Sequence, residues 1–566
     1  MSKRFVVAVV VFAVVVILGA SDVPLQESAF DIIIKEAKIV DGTGNPWFYG
    51  DIGIKGDTIS EIGNLRGKKA KTTIDAKGLV AAPGFIDMHT HCDFTIGNPD
   101  FRANLNYLSQ GVTTVVTGNC GLGAFNIAET KAQWEKQGLG TNAILLIGFG
   151  TVRKAVMKVD PRDPSPDELE KMKSILGQGL REGAWGMSTG LEYVPDRYSK
   201  TEEVIAMAQV VAEHGGIWTS HERDEAAIIC DAIKETVRIA KETGVRANIA
   251  HFKVMGKNNQ GLMKPAIRLV QEARDKGIYI SADQYPYTKA APFGSIWEIP
   301  VIPDGLEPLR GMSKRIEELY YLGQEAEIKK LKEPYLDELL KALAEKSKRE
   351  QIKKTTLEGR PNEPSPLAMW GWHNYTILTS KKHPELNDKN MIDLIEEQKR
   401  DGFEILVDLI KDEPDMFYSG GTMSEDEVRE AMKQDWVMVS SDGTAARIKK
   451  ASDEPVPGHP RDFGSQAKIL GKYVREDKVL TLENAIRKMT SLPASFLGMK
   501  NRGRLLQGTK ADLVIFNPEM VRDNSTYVDS QKYCSGVDYV ILNGKLSIEK
   551  GKFNDSFNGK VLLRQE

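Results

Sequence analysis

The sequence predicts an α/β fold: a TIM-like (β/α)8 barrel, joined to a small β-sandwich domain formed from both chain ends and carrying a helical lid insertion. Three observations predict it. Eight apolar runs of strand length recur through the middle of the chain, and near-continuous apolar strands are what a parallel sheet buried on both faces requires. Several of these runs are separated by amphipathic stretches whose apolar residues return every three to four positions, the helical period. Short strand-like segments punctuated by Asp-Gly, Gly-Asp and Asn-Gly flank this region on both sides. With 566 residues, 41% of them hydrophobic, the chain can bury a large core. Lys+Arg 76 against Asp+Glu 79 leaves a net charge of −3, which gives no electrostatic basis for a nucleic-acid partner.

Taken in order, the elements begin with a leader. Lys3 and Arg4 precede an unbroken apolar run from Phe5 to Leu18, and Gly19, Ala20 and Ser21 follow, the pattern of a secretory signal over residues 1–21. The run is shorter than the ~20 apolar residues of a membrane span, so an uncleaved anchor is the second reading. The expected location is therefore outside the cytoplasm, periplasmic or secreted, with a membrane contact only through that leader. Residues 28–80 hold the short strands Asp31–Ile34, Ala37–Val40, Asp51–Ile54 and Thr58–Ile62. Residues 495–566 repeat the texture at Ala511–Phe516 and Val537–Leu542, with Asn543-Gly544 as a hairpin dipeptide. The two ends are expected to form one β domain.

The barrel is expected over 81–494. Its strands are read at Gly84–Met88, Thr113–Thr117, Ala143–Phe149, Ala184–Ser188, Gly216–Thr219, Ala247–Ala250, Ile278–Ala282 and Trp436–Ser440, with helices such as Glu202–Glu213, Glu225–Glu242 and Lys264–Lys276 between them. From about 290 to 433 the rhythm stops. Lysine- and glutamate-rich helical stretches, Met312–Leu322 and Glu333–Lys354, and the apolar run Tyr375–Leu378 occupy this interval, and an excursion of such length between two barrel strands reads as a lid. Ser424-Glu-Asp-Glu427 reads as a capping box for the helix that returns to the last strand.

In such barrels the reactive groups stand at the carboxyl ends of the strands. Here those ends carry His89-Thr-His91, Asn119-Cys120-Gly121, Ser220-His221, His251-Phe-Lys253, Asp283-Gln-Tyr285 and Ser441-Asp442-Gly443. Residues two apart on an extended segment point the same way, so His89 and His91 can face one mouth. Each histidine alone is weak evidence. Yet of only eight histidines in the chain, four fall at these strand ends, in company with a cysteine and an aspartate. The joint arrangement predicts a metal site, and mixed thiolate, imidazole and carboxylate donors favour zinc. A thiolate can bridge, so Cys120 could join a site at His221 and His251 to another at His89 and His91. Cys92 and Cys230 read as structural, and the scattered cysteines give no disulfide framework.

Six ordered elements, Gly84-Phe-Ile-Asp-Met-His89-Thr-His91-Cys-Asp93, Gly118-Asn-Cys120-Gly121, Ser220-His221-Glu-Arg223-Asp-Glu225, Ala250-His251-Phe-Lys253, Ser441-Asp442-Gly443 and His459-Pro-Arg461, closely resemble the N-acyl-D-amino-acid deacylases, or D-aminoacylases, of the amidohydrolase superfamily. The resemblance runs from about Phe30 to Pro518. It implies a tight zinc ion at Cys120, His221 and His251, and a weaker second site at His89 and His91. It also implies that Asp442 is the general base and can approach the metal, and that Lys253, Arg461 and Tyr285 hold the carboxylate of a small N-acyl amino acid substrate. Two departures bear on substrate scope: a serine common after the Tyr-Pro-Tyr element is absent from Thr288-Lys-Ala-Ala291-Pro, and the Tyr-x-Pro-Gly turn reads Tyr193-Val-Pro-Asp196.

The expected reaction is zinc-dependent hydrolysis of a linear amide, the deacylation of an N-acyl-D-amino acid. The alternatives are a cyclic amidase of the dihydroorotase or hydantoinase kind, a dipeptidase, and a non-catalytic homologue that binds partners through the barrel surface.

Overall fold

The computed structural model describes residues 30–290, 293–321, 324–360, 365–448 and 458–564. The leader at 1–21 lies outside the described residues. No helix among the described residues is long and apolar enough to cross a membrane.

Eight parallel strands form the barrel: Phe85–Asp87, Val112–Thr117, Asn142–Gly148, Gly186–Gly190, Ile217–His221, Arg246–Ile249, Ile280–Gln284 and Val437–Val439, paired in that order. All but the first residue of the sixth strand are buried throughout, which is why their sequences run apolar rather than alternating. The fourth and seventh strands start two residues later than their apolar runs do. Ala184, Trp185 and Ile278 lie in the turns before them, packed in the core all the same, and burial alone does not tell a strand from the turn that feeds it.

The first and eighth strands do not pair along their length. The barrel closes instead just beyond their carboxyl ends, where the Asp442 N–H donates to the His89 carbonyl at 2.8 Å and the His91 N–H to the Gly443 carbonyl at 2.7 Å. Closure at the mouth therefore fixes His89, His91 and Asp442 to one another through the backbone.

The two chain ends build one nine-stranded sheet. Asp31–Ile34 and Ala37–Val40, read as two strands, are one strand, Phe30–Ile39, with a register break between Ile34 and Ala37. Glu36 takes a positive φ of 55° there and keeps isoleucines pointing inward on both sides of the bulge. The sheet returns on itself: the Ile59 N–H donates to the Thr509 carbonyl and the Ala511 N–H to the Asp57 carbonyl. Ile32, Ile34, Ile52, Ile54, Leu513 and Ile515 fill the space enclosed.

The insertion between the seventh and eighth strands holds the helices Leu309–Tyr321, Glu325–Ala344, Lys346–Glu358 and Gly402–Asp412 around a core of its own. The stretch Glu333–Lys354 is not one helix; it breaks at Glu345, whose backbone is extended. A three-stranded antiparallel sheet, Phe293–Ser295, Phe417–Ser419 and Thr376–Thr379, ties the insertion's two ends together. Ser424 precedes the helix Glu425–Lys433 but makes no side-chain cap. Its box partner Glu427 reaches away to accept from the Gly261 N–H at 2.6 Å, linking that helix to the loop after the sixth strand.

Candidate metal centre

Each strand end delivers its side chain by a local device. Cys120 has a φ of 54° between Gly118 and Gly121, both also at positive φ. A Cβ on Gly118 would meet the Leu146 carbonyl at 2.3 Å, and one on Gly121 would meet Asp196 Oδ2 at 2.3 Å. Only glycines allow the turn to sit this close to its neighbours. His251 and Asp442 also hold left-handed backbone, with φ of 34° and 55°. Non-glycine residues in that region are strained, and such strain persists where surrounding structure enforces it, commonly at functional sites.

The structure brings all six residues read as metal donors together. Cys120 Sγ lies 3.4 Å from His89 Nε2, 3.8 Å from His221 Nδ1 and 3.7 Å from His251 Nε2. His221 Nδ1 and His251 Nε2 are 2.8 Å apart. Asp442 Oδ1 is 3.4 Å from His89 Nε2 and 3.3 Å from His91 Nε2. Three overlapping triads, His89–His91–Cys120, Cys120–His221–His251 and His89–His251–Asp442, each keep their donor atoms within 4.8 Å of one another. One sulfur shared by two of these sets, with imidazole and carboxylate completing them, is a donor set that suits one zinc ion or a bridged pair.

Acids outside this ring orient the imidazoles. Glu192 Oε2 lies 3.0 Å from His221 Nε2, and Glu225 Oε1 lies 2.7 Å from His251 Nδ1. With its Nε2 protonated and donating to Glu192, His221 presents the Nδ1 lone pair to the cluster, while His251 Nδ1 faces both Glu225 and Lys253 Nζ, the latter at 2.8 Å, and its Nε2 faces the cluster. Asp283 accepts the His251 N–H at 2.9 Å and the Ser440 hydroxyl at 2.7 Å, and stands 3.5 Å from His89 Nδ1. Burial pushes the Cys120 thiol up, but His89, His221 and His251 overcome it and hold it well below the usual thiol range. Asp442 is also raised by burial and more than compensated, by Arg461, His251 and His89, so it stays ionised.

The three residues read as substrate contacts reach the same rim. Arg461 Nη1 donates to Asp442 Oδ2 at 2.7 Å, and its guanidinium carbon lies 5.2 Å from the Tyr285 ring centre. Lys253 Nζ is 5.9 Å from the same ring and 2.5 Å from Glu225 Oε2, so its charge is matched by that carboxylate. The Tyr285 hydroxyl and Arg461 Nε are buried polar atoms with no hydrogen-bond partner among the described residues. Cys92 is buried against Asn104 and Cys230 is half-buried on the helix Ile229–Thr243; neither joins the cluster.

Sequence reasoning assigned no role to Glu192, Glu225 or Asp283. The spacing of His221 and Glu225, four apart, and the place of Asp283 at a strand end were the available signals. Glu192 has none, because its position depends on how the loop after the fourth strand folds.

Residues 72–286 and 388–548 match the Amidohydrolase family. The chain is 29% identical over 563 residues to the D-aminoacylase of Alcaligenes xylosoxydans xylosoxydans, covering 94% of this chain and 98% of that protein. Among solved structures, a crystal structure of D-aminoacylase superposes with a TM-score of 0.72 at 28% identity, over 94% of this chain and 100% of its own. The N-acyl-D-glutamate deacylase of Bordetella bronchiseptica, complexed with zinc and a phosphonate inhibitor that mimics the tetrahedral intermediate, gives 0.70 at 27% identity over 94% and 100%. The two matched segments contain the strand ends described above, and the chain belongs to the amidohydrolase family.

Proposed function

We propose that this protein is a zinc-dependent deacylase of N-acyl-D-amino acids. The observation that carries the reading is the placement of an ionised carboxylate, Asp442, between the thiolate–imidazole cluster on one side and the Arg461 guanidinium on the other. Cys120, His221 and His251 would hold the tight zinc ion; His89, His91 and Asp442 would hold a second, weaker one. The D-amino acid specificity is supported by the names of the relatives, which act as D-aminoacylase and N-acyl-D-glutamate deacylase.

When bound, zinc supplies Lewis acidity that polarises the scissile carbonyl and brings the pKa of water from 15.7 toward about 7. Asp442 accepts the proton of the attacking water and returns it to the departing amine; one carboxylate serves both steps, because the leaving group needs the proton that the nucleophile gave up. Arg461 and the Tyr285 hydroxyl bind the substrate carboxylate, which supplies the partners those buried atoms lack among the described residues. Lys253, neutralised by Glu225, adds a weaker pull from the same side. The apolar leader supports an exported enzyme.

The test is a hydrolysis panel on zinc-loaded protein: N-acetyl-D- and L-amino acids beside dihydropyrimidines and dipeptides. Turnover of the D-series is expected; preferred turnover of rings or dipeptides would overturn the reading. Cys120→Ala should lose both turnover and the tight zinc ion, whereas Asp442→Ala should lose turnover and keep it.

A further inference from the structure

The residues read as substrate contacts gather on one side of the barrel mouth. Lys253, Tyr285 and Arg461 stand beyond the sixth, seventh and eighth strands. The insertion lies over that side, its returning chain paired to the loops at Gly256 with Thr422, Thr288 with Met423 and Ala290 with Gly421. The loops beyond the first, second, fourth and fifth strands each present an apolar or aromatic side chain instead. Phe94 is 57% exposed with its ring stacked 5.2 Å from His91. Leu122, two residues past Cys120, is 40% exposed, and Ile228, at the start of the helix after the fifth strand, is 56% exposed. The Tyr193 ring lies 4.4 Å from that of His221. Acids on this arc are turned to other partners: Asp93 accepts from Thr117 and the Gly118 N–H, Asp224 from the Ala226 and Ile228 N–H groups, and Glu192 from His221.

Resting on the deacylase reading, we propose that this arc receives the acyl group of the substrate, and that the enzyme prefers N-acyl-D-amino acids bearing long, unbranched apolar acyl chains to their N-acetyl counterparts. The two halves of an N-acyl amino acid lie on opposite sides of the scissile bond. With the carboxylate on Arg461 and the amide at the cluster, the acyl chain leaves across the faces of His91 and His221, where Phe94 and Tyr193 stand. An acetyl group offers these four side chains a single methyl. A chain of eight or more carbons offers them several methylenes, each of which gains apolar burial on contact.

The experiment compares N-acetyl, N-octanoyl and N-dodecanoyl derivatives of the D-amino acid best turned over by the zinc-loaded enzyme, each below its critical micelle concentration. The expected result is a kcat/KM about tenfold or more higher for octanoyl than for acetyl, carried mainly by KM, as partial burial of several methylenes gives. Leu122→Ser with Ile228→Ser should bring that ratio toward one. A ratio of one or less in the unaltered enzyme, with the acetyl substrate turned over, overturns the acyl-chain inference alone. An unchanged high ratio in the double variant overturns the assignment to this arc. Failure to hydrolyse any of the three overturns the deacylase reading and this inference with it.

Discussion

Both carboxylate oxygens of Glu225 are engaged, one with His251 Nδ1 at 2.7 Å and the other with Lys253 Nζ at 2.5 Å, and the side chain is almost wholly buried. Its removal takes one partner from the imidazole and strips the Lys253 charge of this carboxylate. Glu225→Ala is therefore expected to weaken zinc binding by about 10- to 100-fold, the usual cost of losing a partner behind a metal-bound histidine; competition with a chromophoric chelator measures it. Asp442→Asn keeps the shape of the side chain and removes its ability to take a proton. Its kcat should fall by about 10²–10⁴-fold, the contribution of a positioned general base, with D-amino acid release as the readout. At this scale the sequence was legible for residues whose chemistry is rare and placed by a strand end, such as Cys120 and His251. It was not legible for Glu192 and Glu225, because acids are common and only the folded loops decide which of them meets an imidazole.

Between elements, the third barrel strand and the carboxyl-terminal strands meet at a buried polar seam. Asn543 Nδ2 donates to Asn142 Oδ1 at 2.9 Å, its N–H donates to Asp512 Oδ1 at 2.7 Å, and Arg502 binds both Asn543 and Asp512. Asn543→Ala leaves buried partners unsatisfied and should cost about 1–3 kcal/mol, measured by urea denaturation. Lys488, on the helix Leu482–Met489, donates to the Val437 carbonyl at 3.0 Å and to that of Gln434, and burial with Arg487 nearby lowers its pKa to about 7. The unfolded chain has this group near its ordinary value, about 10.4. Between those values the unfolded state binds the additional proton, so stability rises with pH from about 7 to 10.4, and the penalty is complete below pH 7. Lys488→Met is expected to flatten that rise in denaturation curves recorded from pH 6 to 10. The strands of the barrel were legible from their apolar runs, and helices such as Thr201–Glu213 and Met263–Asp275 from their period. The small sheet of the insertion was not: Phe293–Ser295 and Phe417–Ser419 are three residues each, too short for alternation to register.

The molecule as a whole closes its barrel at the mouth, where His89, His91 and Asp442 join the first strand to the eighth, while Cys120, His221 and His251 bring the ends of the second, fifth and sixth strands to the same point. Metal binding is thereby linked to global stability. At free zinc 100 times its Kd the native state gains about 2.7 kcal/mol, and chelation should lower Tm by a few degrees in a calorimetric scan, an effect that Cys120→Ala abolishes. The overall plan was legible because strand-helix alternation and a β texture at both ends leave few alternatives; the arrangement of insertion over barrel was not, since it depends on contacts such as Glu427 with Gly261 that no local pattern announces. Anomalous diffraction at the zinc absorption edge from zinc-soaked crystals decides whether Cys120, His221 and His251 grip one zinc ion: a dominant peak bounded by those three side chains is expected, and a dominant peak elsewhere, or none among them, overturns the assignment.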